Sequence, residues 1–245
     1  MRGAVLFYGF ARTFRNVMFK YKDNFALNNE DIFINIYDTY YPDDRDKVYT
    51  NGIVENVDPK IFYDIFGDKI KHIMLHKYSS QAFIDIVESN NMPPMNNINQ
   101  WHFRSLSFFF SIKCVIDFKT IYENTHGFKY DYVILTRLDL EINSKFIIPY
   151  NLDKISFPIG EGYFPNGERR IGSLIVTGTN KNINDQILVG RSYMFDILST
   201  LFLNAINYHK TNSIPFINEM LIGWHFIFNN IDFSAEDLCS YRICK

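Results

Sequence analysis

Ala4-Val5-Leu6-Phe7-Tyr8-Gly9-Phe10-Ala11-Arg12-Thr13-Phe14 is the stretch whose reading decides the fold. A short apolar run of strand length ends at Gly9, and Phe14, Val17, Tyr21 and Phe25 then recur at helical spacing behind Thr13, a residue type that caps helix starts. Residues 32–37 form a second apolar run rich in β-branched and aromatic side chains. Strand, helix, strand in this order builds a parallel sheet. The first run lies behind Arg2 as a signal-peptide core would. It is short, however, and leads into Arg12-Thr13-Phe14-Arg15 with no cleavage site, so it reads as a buried strand.

Outward from this unit, residues 70–78, 132–135, 155–157 and 174–176 read as further strands. A long helix is expected over 99–124 with Gly127 as its stop, and two more over 192–209 and 215–228, the last with Pro215 in its first turn. Residues 38–59, 90–99 and 158–170 read as loops, the third placed where a binding loop can sit. With no internal repeat and no long linker, the expectation is one α/β domain over 1–245 with a mostly parallel central sheet flanked by helices.

Composition excludes several classes. The 25 Lys and Arg against 27 Asp and Glu leave a net charge of −2, with no surplus to neutralise a run of phosphates, so nucleic acid is not an expected partner. A 47% hydrophobic content excludes intrinsic disorder. No stretch reaches the roughly 18 apolar residues that span a bilayer. Cys114, Cys239 and Cys244 are odd in number and lack C-x-x-C spacing, which points to a reducing, cytoplasmic setting. The 24 Phe and 16 Tyr look like the residue usage of an AT-rich genome.

Chemistry concentrates in Tyr130-Asp131-Tyr132-Val133-Ile134-Leu135-Thr136-Arg137-Leu138-Asp139-Leu140-Glu141. A buried strand here delivers an Arg and two acids to its C-terminal end, the end that faces the ligand crevice in open α/β sheets. Alternation along an extended backbone would put Arg137, Asp139 and Glu141 on one side, two carboxylates for a divalent cation and an Arg for a phosphate. The bland alternative is a solvated strand end with a surface ion pair. In the turn after the first strand, Gly9 and Ala11 permit close backbone approach to a ligand, and Arg12 or Arg15 can neutralise phosphate; the defining glycines of a P-loop or dinucleotide fingerprint are missing.

Asp38 ends the second strand, where a carboxylate meets a base or ribose hydroxyl or else caps a turn. Asp185 reads either as a cap for the helix containing Met194 or as a carboxylate aimed at an acceptor hydroxyl. Glu219 and His225 lie six residues apart, not stacked on one helix face. His225, beside Trp224 and Phe226, is a histidine at the core margin or a late metal or phosphate ligand. Trp101, His102 and Arg104 head the long helix, either as core or as stacking and phosphate contacts.

Taken together, Gly9-Phe10-Ala11-Arg12-Thr13-Phe14, residues 31–38, residues 130–140, Asp185-Gln186 with Met194, and Glu219 resemble a family of bacterial and giant-virus glycosyltransferases that build surface glycans. The resemblance spans nearly the whole chain. It implies a GT-A-like, Rossmann-like fold with a nucleotide-binding half at about 1–141 and an acceptor-binding half at about 142–245. It further implies a nucleotide-sugar donor, a glycan or glycoconjugate acceptor, Mn²⁺ or Mg²⁺ as cofactor, and a cytoplasmic location, the host's if the chain is viral. By this resemblance Gly9, Phe10, Ala11 and Arg12 line the diphosphate pocket, Asp38 approaches the base or ribose, and Arg137 stands beside the metal-binding acids; Arg104, from its own place at the head of the long helix, is a further candidate phosphate contact. The resemblance also gives Asp139 and Glu141 to the metal and turns Asp185 to the acceptor or the sugar; His225, read on its own, is a further metal candidate, and deprotonation of the acceptor hydroxyl makes Asp185 the first and Glu219 the second candidate base. The family's motif ends in Asp where this chain has Glu141. A sugar-phosphate nucleotidyltransferase and a catalytically inactive nucleotide- or glycan-binding module are the competing readings.

Overall fold

Alternation along the first strand assigns its side chains to two layers. Ala4, Leu6 and Tyr8 enter one buried cluster, and Val5 and Phe7 enter another. The strand is therefore covered on both faces, as near-continuous apolar runs in parallel sheets are. The structure, a computed structural model, describes residues 1–11, 14–25, 30–38, 56–92, 100–159, 169–171, 174–176 and 183–243.

In chain order the elements are β1 (Gly3–Gly9), α1 (Phe14–Asn24), β2 (Asp31–Tyr37), α2 (Lys60–Phe66), β3 (Ile70–His76), α3 (Ser80–Ser89) and α4 (Gln100–His126). There follow β4 (Tyr132–Arg137), β5 (Leu140–Ile142), β6 (Ile155–Pro158), β7 (Arg169–Ile171), β8 (Leu174–Val176) and β9 (Ile187–Gly190). The chain continues through α5 (Ser192–Leu198), α6 (Leu201–Asn212), α7 (Asn218–Phe228), β10 (Phe233–Glu236) and β11 (Tyr241–Ile243). The central sheet has seven strands in the order β10-β6-β9-β4-β1-β2-β3. Strands β4, β1, β2 and β3 are mutually parallel, β9 runs antiparallel between β4 and β6, and β10 is parallel to β6.

From β1 the chain moves to β2 and β3 on one side and returns to β4 on the other. That reversal makes the β1–β4 boundary a topological switch point, and the crevice beyond the carboxyl ends of two such strands is where α/β proteins bind ligands. The expected α/β architecture is thus observed, with both sequence halves contributing strands to one sheet.

Helices α1 and α2 cover one face through an aromatic layer: Phe14 stacks on Phe62 at 5.0 Å, Phe7 on Phe66 at 5.4 Å, and Phe25 on Phe146 at 4.8 Å. Helix α4 covers the other, burying Leu106, Phe109, Ile112, Val115 and Ile116, the i, i+3, i+4 rows expected of a helix laid on a sheet. Gly127 ends it with φ +68°, a left-handed conformation natural to glycine, while Phe128 N–H bonds to Glu123 O at 3.2 Å.

Three local expectations are corrected. The helix foreseen over 192–209 is two, α5 and α6, because Ser199 and Thr200 turn their hydroxyls back onto the carbonyls of Asp196 and Ile197 at 2.7 and 2.8 Å and compete with helix continuation. Pro215 lies in the turn before α7, its carbonyl accepting Ile217 N–H at 2.8 Å, and the helix starts only at Asn218. Asp185 caps no helix, since β9 intervenes before α5. Among the described residues no helix is long and apolar enough to cross a membrane.

Candidate functional site at the switch point

Tyr8 and Arg137 are register partners at the carboxyl ends of β1 and β4, so their side chains project side by side from the same face of the sheet. Burial raises the Tyr8 pKa well above the ordinary phenol range, and the adjacent Asp185 adds to it. The hydroxyl therefore stays protonated and donates to the Asp185 carbonyl. Arg137 grips Asp139 with both arms of its fork, Nε to Oδ1 at 2.8 Å and Nη2 to Oδ2 at 2.6 Å. Burial opposes the charge on Arg137, but Asp139, with Tyr8 and Asp185 behind it, more than offsets this and raises its pKa.

The turn that presents Asp139 is clamped from below. Tyr21 of α1 donates to Arg137 O at 2.6 Å and accepts from Leu140 N–H at 3.3 Å. On the opposite lip, Asn218 at the first position of α7 donates to Asp185 Oδ2 at 3.3 Å. Glu219, next in that helix and buried, accepts Ile183 N–H at its carbonyl at 3.3 Å. Arg137, Asp139, Asp185 and Glu219, read separately from the sequence, thus belong to one edge of the sheet. Tyr8, Tyr21 and Asn218 were not singled out. Their roles depend on strand order and register, and only the apolar setting of Tyr8 beside a glycine turn hinted at a buried hydroxyl.

The foreseen Arg137, Asp139 and Glu141 do not share one continuous strand. β4 ends at Arg137, the chain bends through Leu138 and Asp139, and β5 belongs to a separate two-stranded sheet with β11. The even-numbered Ile134, Leu138, Leu140 and Ile142 all enter one core cluster, and Glu141, in β5, is held by Lys20 and Arg242. Hydrogen bonds from Lys20 and then Arg242 keep its pKa down at about 2. Because the folded value lies below the ordinary glutamate value, this pairing supports the fold above the ordinary carboxylate range and is lost as pH falls toward about 2. Protection of the β11 amides relative to their intrinsic exchange rates should therefore fall between about pH 4.5 and 2, and that fall should disappear in Glu141→Gln; an identical profile in the two proteins would refute the pairing.

His225 is buried and engaged elsewhere: Nδ1 meets Tyr208 Oη at 2.9 Å and Nε2 meets Ile197 O at 2.9 Å. Its surroundings are α5 and α6, and burial lowers its pKa, so it stays a neutral core histidine. Among the described residues no three His, Cys, Asp or Glu side chains are grouped to hold a metal.

Gly9 closes β1 with φ +92°, and its N–H donates to Ser111 Oγ of α4 at 2.9 Å. Among the described residues no atom beyond the chain neighbours lies within 4 Å of where a Cβ would sit, so the cost of Gly9→Ala is backbone strain, and a loss of about 1–2 kcal/mol is expected in denaturant titration. Phe10 stacks on Tyr37 at 4.6 Å and meets Tyr78 edge-on at 5.2 Å. Ala11 is fully buried, its carbonyl accepting Phe14 N–H at 2.7 Å as α1 begins. Asp38 ties the ends of β2 and β3, with its N–H on His76 O at 2.8 Å and Oδ1 accepting Tyr78 N–H at 3.4 Å.

Arg104 lies in the first turns of α4, its guanidinium carbon 5.9 Å from the Phe103 ring centre. Arg12 and Thr13 lie outside the described residues, as do 39–55, 93–99 and 160–168 of the three expected loops. The chain matches no protein-family model and no curated protein.

Proposed function

We propose that the chain is a glycosyltransferase that moves a sugar from a nucleotide-sugar donor to a glycan or glycoconjugate acceptor, with Arg137, Asp139 and Asp185 at the centre of the site. The observation that carries the reading is the placement of a charged Arg and two carboxylates at the β1–β4 switch point. A GT-A identity and the division into donor and acceptor halves belong to the same proposal.

The donor set is compatible with a hard cation. The Arg137 fork orients the Asp139 carboxylate at the end of β4. Mg²⁺-type ions are commonly held by one or two carboxylates with substrate phosphates completing the shell, rather than by an all-protein cage. Asp139 is therefore the residue that would hold Mn²⁺ or Mg²⁺; neither Glu141, bound by two cationic side chains, nor His225, among helices, is needed. The ion would supply charge neutralisation at the diphosphate leaving group.

The chain's own residues do the rest. Arg137, kept protonated by Asp139, offers a fixed positive charge to the β-phosphate as the bond to the sugar breaks. The Asp185 carboxylate, steadied by Asn218, accepts the proton of the attacking acceptor hydroxyl, and Glu219 is the second candidate for that role. Tyr8 and Tyr21 keep the two acid-bearing segments in place. Were a second protein carboxylate required on the cation, the engagement of Glu141 by Lys20 and Arg242 would favour a second reading, a nucleotide- or glycan-binding module without turnover.

Thermal unfolding in a panel of nucleoside diphosphates with and without Mn²⁺ tests the proposal. At a hundredfold excess over Kd the ligand stabilises by about 2.7 kcal/mol, a rise of roughly 5–10 °C for a chain of this size. One diphosphate should give this shift, enlarged by Mn²⁺. No response to any of them would remove the proposal, and binding without sugar transfer or donor hydrolysis would favour the module.

A further inference from the structure

One strand contacts both lips of the site. β11 pairs antiparallel with β5, Tyr241 opposite Ile142, Arg242 opposite Glu141 and Ile243 opposite Leu140, and Leu140 directly follows Asp139. Backbone bonds extend the seam, Asn143 N–H to Ser240 O and Ile147 N–H to Leu238 O, both at 2.8 Å. The same strand reaches the other lip through Tyr241, whose buried hydroxyl accepts a hydrogen bond from Asn184 Nδ2. Asn184 is fully buried, also donates to Pro158 O at 3.3 Å, and accepts Gln186 N–H at its Oδ1 at 3.0 Å. That last bond closes an Asx-type turn with Asp185 at its centre.

An Asn side chain holds such a turn only while its amide plane is fixed, and the plane is fixed by what its NH₂ group meets. We infer that Tyr241 is a positioning residue for Asp185: acting through Asn184, it sets the carboxylate-bearing turn in the same frame as Asp139, which β11 anchors through β5. Tyr8 completes the frame from the sheet side by donating to the Asp185 carbonyl. The catalytic consequence rests on the glycosyl-transfer reading; the control of the turn rests on geometry alone. Misplacement of a reacting group by about 1 Å costs up to about a hundredfold in rate, so a single remote hydroxyl has leverage.

Tyr241→Phe removes the hydroxyl and keeps the ring in its apolar cluster. Hydrogen exchange at the Gln186 amide should rise about tenfold while β1 amides are unchanged. Asn184→Ala should produce the same rise, and the double variant should add nothing, because the two act in series. Unchanged Gln186 exchange, an equal rise in β1, or additive effects would overturn the inference. In a transfer assay kcat should fall about tenfold with donor KM unchanged, since donor contacts lie on the Asp139 lip; a raised donor KM with unaltered kcat would overturn it. If the wild-type chain transfers no sugar, the functional reading fails, whereas the exchange measurement still decides whether Tyr241 controls the turn.

Discussion

Lys119→Met should cost the fold about 3 kcal/mol, the low end of the range for breaking a buried ion pair, and lower the urea midpoint by roughly 1 M. The buried stripe of α4 that carries Leu106, Phe109 and Ile116 continues into Lys119 and Glu123, both fully buried. Lys119 Nζ donates to Ser192 Oγ and Asp196 Oδ1 at 2.6 Å each and lies 3.2 Å from Glu123 Oε2. It therefore ties the end of α4 to the start of α5. Methionine fills similar volume but leaves Glu123 short of a cation. The cost stays at the low end because Glu123 retains Lys129 at 2.9 Å, Ser192 Oγ at 2.6 Å and Tyr130 N–H at 2.9 Å.

Burial pushes the Glu123 carboxyl up, and its bonds from Ser192, Tyr130 N–H and Lys129, with the charge of Lys119, together bring it below the ordinary range. Asp196 is lowered in the same way against its own burial, chiefly by Lys119. Folded values below unfolded ones mean that the network stabilises above the ordinary carboxylate range and weakens as pH falls through it. The loss of stability on acidification should accordingly be shallower in Lys119→Met than in the wild type. A midpoint within 0.2 M of wild type, with the same pH slope, would show that Lys119 is not the tie.

The legible part of this fold was the part written in local periodicity. β1, α1, β2 and α4 each carry an uninterrupted pattern whose period matches their final structure, so their bounds were near those observed. β9 is four residues long behind the polar Asn184-Asp185-Gln186, and β5 and β11 are three residues each and gain their partners from across the chain; that pairing is not written in any local pattern. Helices α2 and α3, 7 and 10 residues long, are too short for their apolar spacing to stand out. The site divides in the same way. Arg137 and Asp139 were legible as polar residues at the end of a buried strand. Glu141 was read as part of the same strand, whereas the chain bends at Leu138 and Asp139 and Lys20 and Arg242 hold it, and His225 takes the core alternative weighed for it. The convergence of Asp139 with Asp185, 46 positions apart in the chain, needed the strand order that puts β9 beside β4.

Asp139→Ala is expected to lower transfer by about 100–1000-fold, the scale of losing a preorganised electrostatic group, and to abolish the extra thermal stabilisation that Mn²⁺ gives to diphosphate binding. Two consequences of the substitution must be separated. Asp139 is 1% exposed and is gripped twice by Arg137, so deleting it also leaves a largely buried guanidinium short of its counter-charge, at a cost of up to about 3 kcal/mol. Asp139→Asn keeps the volume and one acceptor oxygen while removing the negative charge. If Asp139 serves the cation, Asn should lose the Mn²⁺ response as fully as Ala does, although it unfolds closer to the wild-type midpoint. If Asp139 serves only to orient Arg137, then Asn should retain the Mn²⁺ response, and Arg137→Leu should reproduce the activity loss of Asp139→Ala. A double variant, Arg137→Leu with Asp139→Leu, supplies the stability reference: replacing both partners with apolar groups removes the stranded charge and should recover most of the midpoint lost in Asp139→Ala, yet remain inactive. Recovery of stability without recovery of transfer would place the pair in the chemistry; full activity in the double variant would exclude this edge of the sheet as the site.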